Sequence, residues 1–110
     1  MTELFSIDPA PVFSAPAAIT GPGGERRALL VVWRHKTRTA LAAWLASRET
    51  RAETLEAEAD MLLEVMDGWD NADAPFDRAA LIDLLNNYHR ASHELLLAYV
   101  DGLQGARLGN

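Results

Sequence analysis

Gly21-Pro22-Gly23-Gly24-Glu25-Arg26-Arg27-Ala28-Leu29-Leu30-Val31-Val32-Trp33-Arg34-His35-Lys36-Thr37 is the stretch over which the chain changes its period. Upstream of Thr37, Val12-Phe13-Ser14 and the run Ala28 to Trp33 flank a four-residue breaker cluster, the pattern of two strands joined by a turn. A β-hairpin is predicted there. Pro9, Pro11 and Pro16 have no N–H to give to a ladder, so the first strand is expected at a sheet edge or as an irregular arm, extended over residues 9–18. The second strand is the stronger of the two.

Downstream of Thr37 the apolar spacing becomes helical. Thr37 or Thr39 can accept a bond from an exposed backbone N–H, and Leu41, Trp44 and Leu45 then share one face. A second helix is predicted from about Glu53 to Asp67, because Leu55, Ala59, Leu62, Leu63 and Met66 follow one continuous stripe and Gly68 can end it with a positive φ. The segment Trp69 to Pro75 is read as a loop. Asp77 can cap a third helix carrying Ala80, Leu81, Leu84 and Leu85, stopping at Asn86-Asn87. A fourth is expected from about Tyr88 to Leu103, with Ala91, Leu95, Ala98, Tyr99 and Leu103 inward. The fold class that follows is α+β, mainly α. It consists of an N-terminal β-hairpin or strand arm (residues 1–36) packed on a compact bundle of about four helices (37–110), all one domain over 1–110.

A chain of 110 residues, 49% apolar with three tryptophans, is expected to bury one core and not two. No apolar run reaches the roughly 20 residues needed to span a bilayer, and the start Met1-Thr2-Glu3-Leu4 lacks the basic and apolar segments of a signal peptide. Cysteine is absent, which excludes disulfides and thiolate metal sites and fits a reducing cytoplasm. The net charge of -6 is unevenly spread. Residues 25–52 carry seven Lys/Arg against Glu25 and Glu49, whereas residues 53–101 carry twelve Asp/Glu against Arg78 and Arg90. Nucleic-acid binding rests on many phosphate contacts from Lys and Arg, and an acidic body opposes it. The basic stretch is read first as attraction between the halves of one fold, and second as a local contact.

No catalytic constellation emerges. His89 and His93 stand one helical turn apart and Glu94 is adjacent, but a catalytic zinc takes three protein ligands, and Arg90 occupies the place where a metalloprotease motif has glutamate. Asp67, Asp70 and Asp73 lack the alternate spacing, the glycine and the closing glutamate of a calcium loop. Gly21 to Gly24 is no phosphate cradle, because neither a helix nor Gly-Lys-Ser/Thr follows. Ser47, Ser92 and the threonines have no histidine or aspartate relay nearby. No cofactor is expected. The aromatic residues Trp33, Trp44, Trp69, Phe76, Tyr88 and Tyr99 are read first as core. Among them Trp33, Trp69, Phe76, Tyr88 and Tyr99 are the candidates for a protein-binding groove.

Over roughly two-thirds of its length the chain resembles the phage tail assembly chaperones of long-tailed phages and prophages. The resemblance lies in Val65-Met66-Asp67-Gly68-Trp69-Asp70, Pro75-Phe76, Leu84-Leu85-Asn86-Asn87-Tyr88, Ala98-Tyr99 and Gly105-Ala106-Arg107-Leu108-Gly109-Asn110, with Trp33-Arg34-His35-Lys36-Thr37-Arg38 upstream similar to the family's strand-to-helix junction. One departure is His89-Arg90, where members often have Pro-Gly, so the start of the last helix is not fixed by proline. The resemblance implies a non-enzymatic factor of the host cytoplasm that coats the tape measure protein before the tail tube polymerises and is absent from the finished virion. It also implies that a frameshifted longer form contacts the tail tube protein, this chain looking like the short form.

The residues are compatible with that role. An apolar groove can cover an amphipathic helix, acidity keeps the complex dissolved, and an unpaired hairpin edge invites self-association into a homo-oligomer. Two other readings stand beside it: an acidic adaptor or secretion-type chaperone for another client, and a metal-dependent hydrolase using His89 and His93.

Overall fold

In the computed structural model, which describes residues 3–105, the glycine cluster makes the expected turn. Gly21 N–H donates to the Glu25 carbonyl at 2.7 Å and Gly24 N–H to the Gly21 carbonyl at 3.0 Å. Gly23 and Gly24 sit at φ of 90° and 92°, where a side chain is strained. This turn joins β1 (Val12–Thr20) to β2 (Arg26–Arg34), nine antiparallel pairs from Val12 opposite Arg34 to Thr20 opposite Arg26. The proline expectation holds, because β1 is an edge strand.

Beyond β2 the helices follow. Thr37 caps α1 (Arg38–Ala46) by accepting from Ala40 N–H at 3.1 Å, and a short 3-10 turn (Ser47–Thr50) extends it. Thr54 caps α2 (Leu55–Leu63) in the same way, through Ala57 N–H. Asp77 caps α3 (Arg78–Asn87) through Ala80 N–H at 2.8 Å, and α4 runs over Ala91–Leu103. The last helix starts three residues later than expected, after a turn in which Ala91 N–H donates to the Tyr88 carbonyl.

The expectation of a mainly helical chain built on a four-helix bundle is overturned. The described residues are 44% helical and 21% strand, with a three-stranded antiparallel sheet ordered β1-β2-β3. The new strand is β3 (Met66–Trp69), inside the region expected to be the end of the second helix and its loop. That helix stops at Leu63, and Gly68, expected to close it at positive φ, has no such backbone and lies opposite Val32 in the sheet. The cause is the open edge of β2, whose backbone groups demand partners once its inner face is buried. Arg34 N–H finds the Val65 carbonyl at 2.7 Å, and the Leu30 carbonyl accepts from Asp70 N–H at 2.9 Å. The Asn71 side chain carries the ladder past the strand's end, accepting from Leu30 N–H and donating to the Ala28 carbonyl.

One face of the sheet carries the core. Phe13, Ala15, Ala17 and Ile19 of β1 and Leu29, Val31 and Trp33 of β2 alternate inward and meet the helices there. Tyr99 of α4 is the hub. Its fully buried ring lies 5.3 Å from Trp33, 5.5 Å edge-on from Trp44 of α1 and 6.3 Å from Phe13. Each polar handle is used: Tyr99 Oη donates to the Arg34 carbonyl, Trp33 Nε1 to Ala15 and Trp44 Nε1 to Met61. The outer face bears Val12, Pro16, Ala28, Leu30, Val32 and Gly68, none of them buried, and among the described residues no helix covers it.

Candidate functional site

The five aromatic candidates fall into two groups. Trp33 and Tyr99 are fully buried and hold the sheet to the helical layer, so they present no surface. Trp69 and Phe76 are half-buried and Tyr88 is exposed, its ring standing against the hairpin turn. Trp69 Nε1 donates to the Ala74 carbonyl at 2.7 Å, and its ring meets Phe76 edge-on at 5.0 Å. These two half-buried rings brace the segment between β3 and α3 from both ends. The segment's Asn71 is fixed in turn to β2 by the pair of bonds to Leu30 and Ala28.

The braced segment is one wall of a shallow groove of about 640 Å³. Asn71, Ala72 and Asp73 form that wall, Ile19 and Leu29 from the hairpin form the floor, and Leu84 and Tyr88 of the α3 end close the other side. Tyr88 is 36% accessible, and its ring reaches Gly21 at the turn. A Cβ at Gly21 would stand 3.5 Å from Tyr88 Cε2, ordinary contact, so the tip and the ring are already packed. The rim carries Glu25 and Arg27, paired at 3.1 Å, and the Asp73 carboxylate. An apolar floor with a charged rim accommodates one side of an amphipathic helix or strand.

A second groove of about 600 Å³ lies on the helical side, floored by Leu45, Met61, Leu62 and Leu96 and rimmed by Arg48, Glu58, His89 and His93. Arg51 fixes its rim, donating to Ser47 Oγ and pairing with Glu64. The two histidines acquire no third ligand, and among the described residues no group of three His, Cys, Asp or Glu is placed to hold a metal.

Glu94 is the buried acid. Its carboxylate accepts from Thr20 N–H at 2.9 Å and from Thr20 Oγ1 at 2.6 Å, tying α4 to the end of β1. Burial opposes its charge, but the two Thr20 bonds, with Arg90 and Arg26 nearby, outweigh that and hold the carboxyl below its ordinary range. Every polar group of this acid is engaged internally, the mark of a structural tie and not of a proton donor awaiting substrate. Sequence reading gave Glu94 no role beyond its place beside a histidine. Its partner lies 74 residues away, and no local spacing signals that.

Leu84 and Tyr88, which line the hairpin-tip groove, and Trp69 and Phe76, which brace its wall, fall within segments of the resemblance, and a family model of phage tail assembly chaperones matches residues 1–110. The chain belongs to the phage tail assembly chaperone family. Neither a curated protein nor a solved structure matches it. The terminal Ala106 to Asn110, part of the resemblance, lies outside the described residues. Among the described residues of this chaperone, no helix is long and apolar enough to cross a membrane.

Proposed function

We propose that this tail assembly chaperone binds the tape measure protein in the host cytoplasm, taking an amphipathic helix of that client into the groove between the hairpin tip, the 71–73 wall and Tyr88. The reading is supported by one conjunction above others. Leu84 and Tyr88, within one segment of the family resemblance, line an apolar groove open to solvent, and Trp69 and Phe76, within two others, brace its 71–73 wall. A long helical client left bare aggregates through its apolar stripe, and covering that stripe site by site gives avidity from modest single contacts. The net charge of -6 keeps the loaded complex dispersed. The protein acts by binding alone and leaves before the virion is complete, and a longer frameshifted form reaches the tail tube protein.

The groove makes the proposal specific. Leu84→Glu places a carboxylate on the apolar side of the groove, and Tyr88→Ala removes its exposed ring; both positions are only partly buried, so the fold persists. Co-expressed with the tape measure protein, the wild-type chain is expected to raise the client's soluble yield several-fold, and each variant to lose most of that gain while remaining soluble itself. A client equally insoluble with the wild-type chain defeats the proposal. Undiminished rescue by both variants moves the binding site elsewhere.

A further inference from the structure

The segment before β1 carries three large apolar side chains that touch almost nothing. Leu4, Phe5 and Ile7 are 98%, 91% and 90% exposed, whereas the other large apolar residues among those described reach at most 47%. A second unpaired apolar surface is the outer face of the sheet. Val12 and Leu30 are 41% and 44% exposed there, with Pro16, Val32 and Gly68 beside them, and a Cβ built on Gly68 would meet nothing within 4 Å. We propose that the two surfaces belong together between two copies of this chain, the arm of residues 3–9 from each lying across the outer sheet face of the other.

Three features select a second copy as the occupant. The first is reach: the seven residues 3–9, drawn out, span about 24 Å, most of the roughly 30 Å length of the nine-residue β2. The second is charge. Glu3 and Asp8 flank the apolar triplet of the arm, and the face is bounded by Arg26 at the hairpin end and Arg34 at the other. Arg26 has no ion-pair partner within 4 Å among the described residues, and most of the remaining surface of this acidic chain would repel a second copy. The third is direction. His35 N–H holds the Pro11 carbonyl at 2.9 Å, so the arm leaves the sheet at Pro9-Ala10-Pro11. Two prolines there keep the chain extended and oppose the reversal that covering its own face requires.

The arm's root stands at a corner of the face it would cover. Arm and face therefore form one continuous patch, and two such patches can meet about a two-fold axis with each arm on its partner, which closes at a dimer. The edge of β1 does not compete for this role. Leu30 turns both its backbone groups toward β3, so its cross-strand partner Pro16 faces the free edge, where it has no N–H to offer.

The absence of cysteine makes the test direct. Phe5→Cys and Leu30→Cys are made in separate chains, mixed and oxidised, so that any disulfide between the two positions joins different molecules. The expected yield of the mixed disulfide is at least ten-fold above that of Phe5→Cys mixed with Ala46→Cys, an exposed position on the helical side, and equal yields overturn the proposal. In one chain carrying both substitutions, a covalent dimer is expected; a predominantly internal disulfide shows the arm on its own face and likewise overturns it. Sedimentation of the purified wild-type chain should show a dimer whose dissociation constant rises at least ten-fold in Leu30→Lys and in Phe5→Ser/Ile7→Ser. No client is present in any of these measurements, so they are independent of the tape measure reading.

Discussion

Tyr99 concentrates more of the fold than any other residue. Its ring joins β1, β2 and α1 to α4, and its hydroxyl satisfies the Arg34 carbonyl at 2.6 Å where the chain leaves the sheet for the first helix. Removing only the oxygen in Tyr99→Phe leaves the packing and strands that carbonyl, so the expected cost is about 1–2 kcal/mol in urea unfolding. Burial pushes this phenol up from 10.0 to about 12. The unfolded chain therefore loses the proton near pH 10 while the folded chain keeps it, and stability is full below pH 10 and declines between pH 10 and about 12. Absorbance titration should show this tyrosine ionising near 12, and Tyr99→Phe should flatten the alkaline decline. Helical spacing with Leu95 and Ala98 made the inward direction of Tyr99 legible. Its hydrogen bond was not, because the partner is 65 residues distant and belongs to another element.

At the scale of elements, α4 lies tightly on β1 at Gly102. A Cβ on Gly102 would stand 2.9 Å from Phe13 Cε2 and 3.4 Å from Ala15 Cβ, so the helix can lie on the strand only because that position is bare. Gly102→Val adds a branched side chain with no room and should destabilise by about 1–3 kcal/mol in chemical denaturation, more than the helix-propensity gain over glycine can offset. A more stable variant would show that Phe13 rotates away freely. The hairpin, the Thr37 and Asp77 caps and the edge position of β1 were legible because proline, glycine and capping residues act locally. The strand β3 was not. Leu62, Leu63 and Met66 continue the apolar stripe of α2 without a break, and Gly68 has little preference for a strand. What decides it is the unsatisfied edge of β2, some 35 residues upstream, a demand that no window around Met66 contains. For the same reason Trp69, Phe76 and Tyr88 were legible singly as aromatics, while the 71–73 wall that Trp69 and Phe76 brace, and Asn71 fixes to β2, required the sheet.

At the scale of the molecule, the charge asymmetry resolves into ties between halves. Arg34 pairs with Asp67 at 3.1 Å and Arg51 with Glu64, each joining the basic 25–52 stretch to the acidic region after it. These pairs are largely exposed and contribute little individually. Glu94 differs because it is buried, and it is the bond between the hairpin end and the start of α4, the two parts that flank the proposed client groove. With its folded pKa held below the unfolded value, the carboxylate stabilises the chain above the ordinary glutamate range, and that contribution is lost as pH falls through the lowered folded value. Glu94→Gln keeps the shape but removes the charge from two hydrogen bonds, which should cost about 1–2 kcal/mol at pH 7. The gap between the two proteins should then close as the solution is acidified below pH 4, because the wild-type carboxyl is neutralised and the variant has nothing to lose. Thermal unfolding of both from pH 7 to pH 3 measures this directly. Parallel curves over that range would mean that Thr20 is held equally well by a neutral side chain, and that hairpin and helix are registered by packing around Tyr99 alone.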